Sequence, residues 1–141
     1  MIILDTNVLS ELMRPAASRA VVEWLDARPA AELAVTAITV AELFHGVRRM
    51  ADGRRKAALE AAALRMFEED LVHAPLAFDH AAALVYADIV AQREQTGRPI
   101  SMADAQIAAI TREHSATLAT RNVRDFAGLG LEVIDPWSAA T

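Results

Sequence analysis

The chain contains no cysteine, which excludes a disulfide framework, a thiolate metal site and a cysteine nucleophile together. Lysine is almost as scarce: Lys56 is the only one, and no Gly-x-x-x-x-Gly-Lys loop exists to cradle nucleotide phosphates. A Gly-x-Ser-x-Gly elbow is also missing, which leaves a serine hydrolase without support. The longest uncharged stretch runs only from Leu33 to Ala41, far short of a bilayer span. No basic region precedes the apolar start Met1-Ile2-Ile3-Leu4, so the expectation is an unexported, cytoplasmic protein with no membrane partner. Glycine and proline number five each and 54% of residues are hydrophobic, which excludes disorder and fits one domain spanning 1–141.

Basic residues are outnumbered by acidic ones, 14 to 19, for a formal charge of −5. That balance opposes loose binding of a polyanion, unless some acids are clustered to hold cations that reverse the local field. Five of the 14 basic residues, Arg48, Arg49, Arg54, Arg55 and Lys56, fall within nine positions. The run reads equally as a solvated helix end and as an edge that contacts RNA.

Short apolar or β-branched runs occur at 2–4, 33–36, 71–73, 117–119 and 131–134. Between them, apolar residues recur three or four apart, as in Val21, Val22, Leu25, in Ala57 to Phe67, in Ala83 to Val90 and in Ala105 to Ile110. Strands alternating with helices predict a short-stranded, mainly parallel sheet inside a three-layer α/β/α sandwich. In such sheets ligands bind beyond the carboxyl ends of the strands. The residues there are Asp5-Thr6-Asn7, Thr39 to Glu42, Ser101 to Asp104 and Thr120 to Asp125, and each group supplies a carboxylate.

Asp5, Glu42, Asp104 and Asp125 offer the oxygen chemistry that magnesium prefers. Four converging carboxylates would resist ionisation, and a bound cation resolves that conflict. The competing reading is structural. Thr39-Val40-Ala41-Glu42 and Ser101-Met102-Ala103-Asp104 both fit a capping box, in which the acid only completes a helix start. Asp125, beside Arg121 and Arg124, also reads as an ion-pair partner. Asp5 has no such packing role after Ile2-Ile3-Leu4. The four histidines show no paired ligand spacing, and Trp24, Phe44, Met66, Phe67 and Trp137 read as core or dimer contacts rather than base-stacking platforms.

With Leu4-Asp5-Thr6-Asn7, Ala41-Glu42-Leu43, Asp104 within Ser101 to Ile107, and Thr120-Arg121-Asn122, the sequence resembles PIN-domain nucleases nearly end to end. Pro99-Ile100-Ser101 and the terminal Asp135-Pro136-Trp137 resemble the FitB-like group of VapC-like toxins. The resemblance implies magnesium- or manganese-dependent endonucleolytic cleavage of RNA, a cognate antitoxin and a homodimer. It implies that Asp5, Glu42 and Asp104 hold the metal, with the fourth position open between Asn122 and Asp125. Thr6, Asn7 and Thr120 then support the site. An antitoxin segment is expected over the helices flanking Ala41 to Lys56, against Leu43, Phe44 and Val47. Two other classes remain: a receiver-like phosphotransfer domain and a catalytically silent interaction module.

Overall fold

A computed structural model describes residues 1–138 and contains four strands in one parallel sheet, ordered β2-β1-β3-β4. The strands are β1 (Ile2–Leu4), β2 (Leu33–Ala34), β3 (Thr117–Ala119) and β4 (Glu132–Ile134). Six helices connect them: α1 (Thr6–Leu12), α2 (Arg19–Asp26), α3 (Ala37–Arg48), α4 (Arg54–Arg65), α5 (His80–Gln95) and α6 (Met102–Glu113).

Alternation along each strand divides the interior into two cores. Ile3, Ala34 and Leu118 face one side, where Ala105, Ile107 and Ile110 of α6 and Ile89 of α5 cover them. Leu4, Val35 and Ala119 face the other, against Val8 and Leu9 of α1, Val21, Trp24 and Leu25 of α2, and Met66. This is the expected α/β/α sandwich. Strands two or three residues long suffice because both faces of the sheet are covered, and Ile3, Leu4, Ala34, Leu118 and Ala119 are almost wholly buried.

The run at 71–73 is not a strand. Helix α4 continues through a π turn, Met66–Asp70, which ends at Leu71. The sheet edge is instead extended by a single parallel bridge between Thr36 and Leu76. Leu71 and Leu76 both bury their side chains in part, so apolarity alone does not tell which of them pairs along the backbone.

The start of α3 also lies earlier than the Thr39 pattern indicates. Thr36 is the N-cap of α3, and its hydroxyl accepts from the Thr39 N–H at 3.2 Å. Glu42 therefore sits in the second turn of α3, too far along to close a capping box. The Ser101 pattern does cap: its Oγ accepts from the Asp104 N–H at 3.1 Å, opening α6. Among the described residues, no helix is long and apolar enough to cross a membrane.

Candidate active site

Three helix starts and one loop meet at the carboxyl end of the sheet. Asp5 follows β1 and caps α1, with Oδ1 accepting from the Thr6 N–H at 2.8 Å. Its Oδ2 accepts from Thr120 Oγ1 at 2.7 Å and from Asn7 Nδ2 at 3.3 Å. Thr120 follows β3, the neighbour of β1. Its Oγ1 also accepts from Asn7 Nδ2 at 3.1 Å and from the Asn122 N–H at 3.1 Å. Glu42 reaches in from α3, where Thr6 Oγ1 donates to Oε1 at 2.7 Å. Asp104 comes from the first turn of α6. One cleft is lined by Asp5, Asn7, Glu42, Asp104 and Asn122, together with Arg14 and Arg121.

Electrostatics tie the acids together. Burial pushes the Asp5 carboxyl up from the ordinary aspartate range, donors from Thr120 and Thr6 counteract it, and the charges of Glu42 and Asp125 raise it further. Asp104 is pushed up to about 6, by burial first and then by the charge of Asp5, with smaller contributions from Asp125 and Glu42. Among the described residues, no arginine, lysine or histidine stands within ion-pair distance of Asp5, Glu42 or Asp104. The cleft thus gathers three carboxylates whose mutual repulsion no side-chain cation relieves.

The donor set is oxygen alone, which suits a hard divalent ion held by a few carboxylates and several waters. As the side chains lie, no three Asp, Glu or His among the described residues enclose an ion by themselves. That is compatible with magnesium, which keeps much of its water shell and is seldom caged by protein ligands only.

The remaining expectations divide. Asn122 lines the cleft, whereas Asp125 is exposed in a 3-10 turn, Val123–Phe126, and acts on Asp5 and Asp104 through its charge. Arg121 and Arg124 form no ion pair with it among the described residues. Leu43 and Val47 are buried and floor an apolar groove between α3 and α4 that opens beside Glu42. Phe44 points to another groove, packed against Phe67 with ring centroids 5.7 Å apart. The three do not share one surface. In the basic run, Lys56 pairs with Asp52 at 3.0 Å and Arg48 with Glu60 at 3.6 Å, while Arg55 lines the groove.

Sequence reading missed Glu11, Arg14 and the place of Trp137. Glu11, buried on α1, accepts from the Ser18 N–H at 3.0 Å and from Arg14 Nη1 at 3.2 Å. These contacts, led by Ser18, hold its carboxyl below the usual range, helped by the charge of Arg121. Trp137 packs on the second core, yet it also lines the acidic cleft. The helical spacing of Asn7, Glu11 and Arg14 was the available signal, but that spacing is equally common on a solvated helix face.

Residues 2–130 match the PIN domain family. The chain is 40% identical over 140 residues to the VapC ribonuclease Y4jK of Sinorhizobium fredii, covering 99% of this chain and 100% of the relative. It is 39% identical over 141 residues to toxin FitB of Neisseria gonorrhoeae, covering 97% and 99%. Among solved structures, FitAB bound to an IR36 DNA fragment superposes with a TM-score of 0.91 at 36% identity, covering 100% of this chain and 99% of that one. VapBC2 of Rickettsia felis bound to a promoter DNA fragment gives 0.80 at 25% identity, covering 95% and 98%. With the acidic cleft at the carboxyl end of a parallel sheet and a family match over almost its whole length, the chain belongs to the PIN-domain family.

Proposed function

We propose that this PIN domain is a magnesium- or manganese-dependent endoribonuclease that hydrolyses RNA phosphodiester bonds as the toxin of a type II toxin-antitoxin pair. The observation that carries the reading is the meeting of Asp5, Glu42 and Asp104 in one cleft, with no basic side chain among the described residues at ion-pair distance from any of them. Relatives named as a ribonuclease and as a toxin support it. Family membership leaves the receiver-like alternative without support.

Asp5, Glu42 and Asp104 are the residues that would hold the ion. When bound there, a divalent ion supplies an activated water and stabilises charge developing on the phosphodiester. The chain's own hydroxyls and amides fix the carboxylates. Thr120 and Asn7 donate to one oxygen of Asp5, the Thr6 N–H occupies the other, and the Thr6 hydroxyl turns Glu42 inward. Such outer contacts set the orientation of metal-holding groups. Asn122, tethered to Thr120 by its N–H, stands at the cleft wall, while Asp125 adds negative charge from outside it. Asn122 is thus the better placed of the two for the fourth position.

The groove between α3 and α4 is the proposed seat of an antitoxin segment. Leu43 and Val47 form its floor, Met13, Met50 and Leu59 its apolar walls, and Glu42 joins it to the cleft. An apolar peptide lying there would end at the acids. The separate surface around Phe44, Leu64 and Arg48 is then available for the homodimer. A similar solved structure is a member of the VapBC family of toxin-antitoxin systems, VapBC-5 of Mycobacterium tuberculosis, which supports an antitoxin as the partner.

The test is cleavage of single-stranded and structured RNA by the purified protein with magnesium or manganese, repeated in excess chelator. Metal-dependent scission that Asp5→Asn and Asp104→Asn both abolish is the expected result. Equal cleavage in chelator, or no cleavage with either metal, would sink the proposal and favour a silent interaction module.

A further inference from the structure

The cleft carries two arginines, and they differ in one respect. Arg14 is bound to buried Glu11 at 3.2 Å, so its charge is largely met. Arg121 is exposed and has no carboxylate within ion-pair distance among the described residues. It is nonetheless held. Its guanidinium carbon lies 5.0 Å from the ring centroid of Trp137, and its backbone N–H donates to Asn7 Oδ1 at 3.3 Å. Asn7 in turn donates to Asp5 Oδ2. An aromatic face orients a cation without neutralising it. The geometry therefore presents a guanidinium without an ion-pair partner among the described residues, seated on Trp137 beside the acidic floor.

From this arrangement we infer that Arg121 binds a phosphate of single-stranded RNA next to the one at the acidic floor, and that Trp137 is its positioning residue. The inference rests on the ribonuclease reading of the same cleft and extends it to how the strand is held. It also answers a difficulty in the composition. A chain of charge −5 with three carboxylates at its floor repels a polyanion, and a metal ion alone would have to overcome that field. A rim guanidinium adds attraction that does not depend on the metal, and its planar fork suits a phosphate. Trp137 cannot offer both faces to a base, because it packs on the second core and Arg121 covers it. The indole thus serves the arginine rather than the nucleobase.

The test measures fluorescence anisotropy of a labelled ten-nucleotide oligouridylate in EDTA, titrated with the full chain at several KCl concentrations. Arg121→Ala is expected to weaken binding about fivefold and to reduce the slope of log affinity against log salt by roughly 0.7, the value for one phosphate contact on a single strand. Arg121→Lys should keep the slope. Trp137→Phe should bind nearly as wild type, and Trp137→Leu, which keeps an apolar contact with the second core but offers no aromatic face, should bind as weakly as Arg121→Ala while still melting above the assay temperature. With magnesium, Arg121→Ala should raise KM far more than it lowers kcat. An unchanged slope in Arg121→Ala, a lost slope in Arg121→Lys, or no binding by wild type in EDTA would overturn the inference. If wild type binds with the expected slope change but cleaves nothing, the ribonuclease reading fails and the phosphate contact stands. If wild type cleaves and Arg121→Ala matches it in affinity, only the contact fails.

Discussion

Thr120 Oγ1 donates to Asp5 Oδ2 at 2.7 Å across 115 positions of sequence, joining the ends of two adjacent strands at the floor of the cleft. The same hydroxyl oxygen accepts from Asn7 and from the Asn122 N–H, so one atom sets three site residues. Thr120→Val should leave the Asn122 N–H without its partner and remove a donor that favours the ionised form of Asp5. Stability at pH 7 should fall by about 1–3 kcal/mol, and magnesium affinity by about tenfold or more. Thr120→Ser should restore both. Urea unfolding and a magnesium titration of melting temperature check it.

The raised carboxyls give the metal-free protein a defined pH response. A folded-state pKa above the unfolded value stabilises the fold below the ordinary aspartate range and loses that contribution as pH rises through the folded value. For Asp104 the loss is complete a little above pH 6, and Asp5 shifts in the same direction. Asp79 and Glu11 are lowered, so their contributions vanish only at more acid pH and leave the window from 5 to 7 clear. In EDTA the protein should melt higher at pH 5 than at pH 7, and magnesium should close the gap. Asp104→Asn should flatten the profile and raise metal-free stability at pH 7. The gain should be about 1 kcal/mol, because solvent screens a half-buried carboxyl. A flat wild-type profile would count against the coupling of these acids.

Glu42→Gln separates cleft chemistry from helix stability. Thr36 caps α3 and Glu42 lies a turn further on, so the amide should keep the helix and change stability by only a few tenths of a kcal/mol. Cleavage should fall by more than about a hundredfold and the magnesium-induced rise in melting temperature should shrink. Retained cleavage with an unchanged magnesium shift would remove Glu42 from the site.

Arg93 is buried on α5 without a carboxylate partner among the described residues, and burial lowers its pKa. Its Nη2 donates to the Asp125 carbonyl at 2.7 Å and the Ala127 carbonyl at 3.1 Å. It thereby clasps the turn that follows Asn122. Arg93→Met keeps much of the volume and strands those carbonyls, so a loss of about 2–3 kcal/mol is expected. Hydrogen exchange should quicken in 122–127 before it does in β1. Uniform protection across the domain would contradict this role.

If the α3–α4 groove seats an antitoxin segment, Ala58→Glu, on an exposed groove wall, should weaken antitoxin binding at least tenfold while RNA cleavage persists. Phe44→Ala, on the other side of α3, should leave antitoxin affinity within about twofold and loosen the dimer. Calorimetry with the antitoxin and light scattering distinguish the two surfaces. The opposite pattern would exchange them.

Much of this protein could be read from local regularities. Alternating short apolar runs and helical spacings specified the layered sheet, because burial on both faces of a parallel strand demands that pattern. The order of Asp5, Glu42 and Asp104 along the chain, with Asp5 at a strand end and Asp104 at a helix start, likewise pointed to the acidic cleft. Misreadings arose where one local signal serves two structures. Thr39 and Glu42 look like a capping box, but Thr36 starts the helix earlier. Residues 71–73 look like a strand, but a π turn extends α4 to Asp70 and the edge bridge forms at Leu76.

Tertiary structure alone decided the contacts between distant segments. No periodicity could bring the Ser18 N–H onto Glu11 or split Leu43 and Val47 from Phe44 between two grooves. Nor could it set Arg121 over Trp137, a partner 16 positions later that also reads as plain core. The physical reason is that hydrophobic burial specifies which face of an element turns inward, and composition shows that directly. Which polar groups then meet depends on the packing of whole elements against one another, and a side chain's charge carries no record of the neighbour it will find.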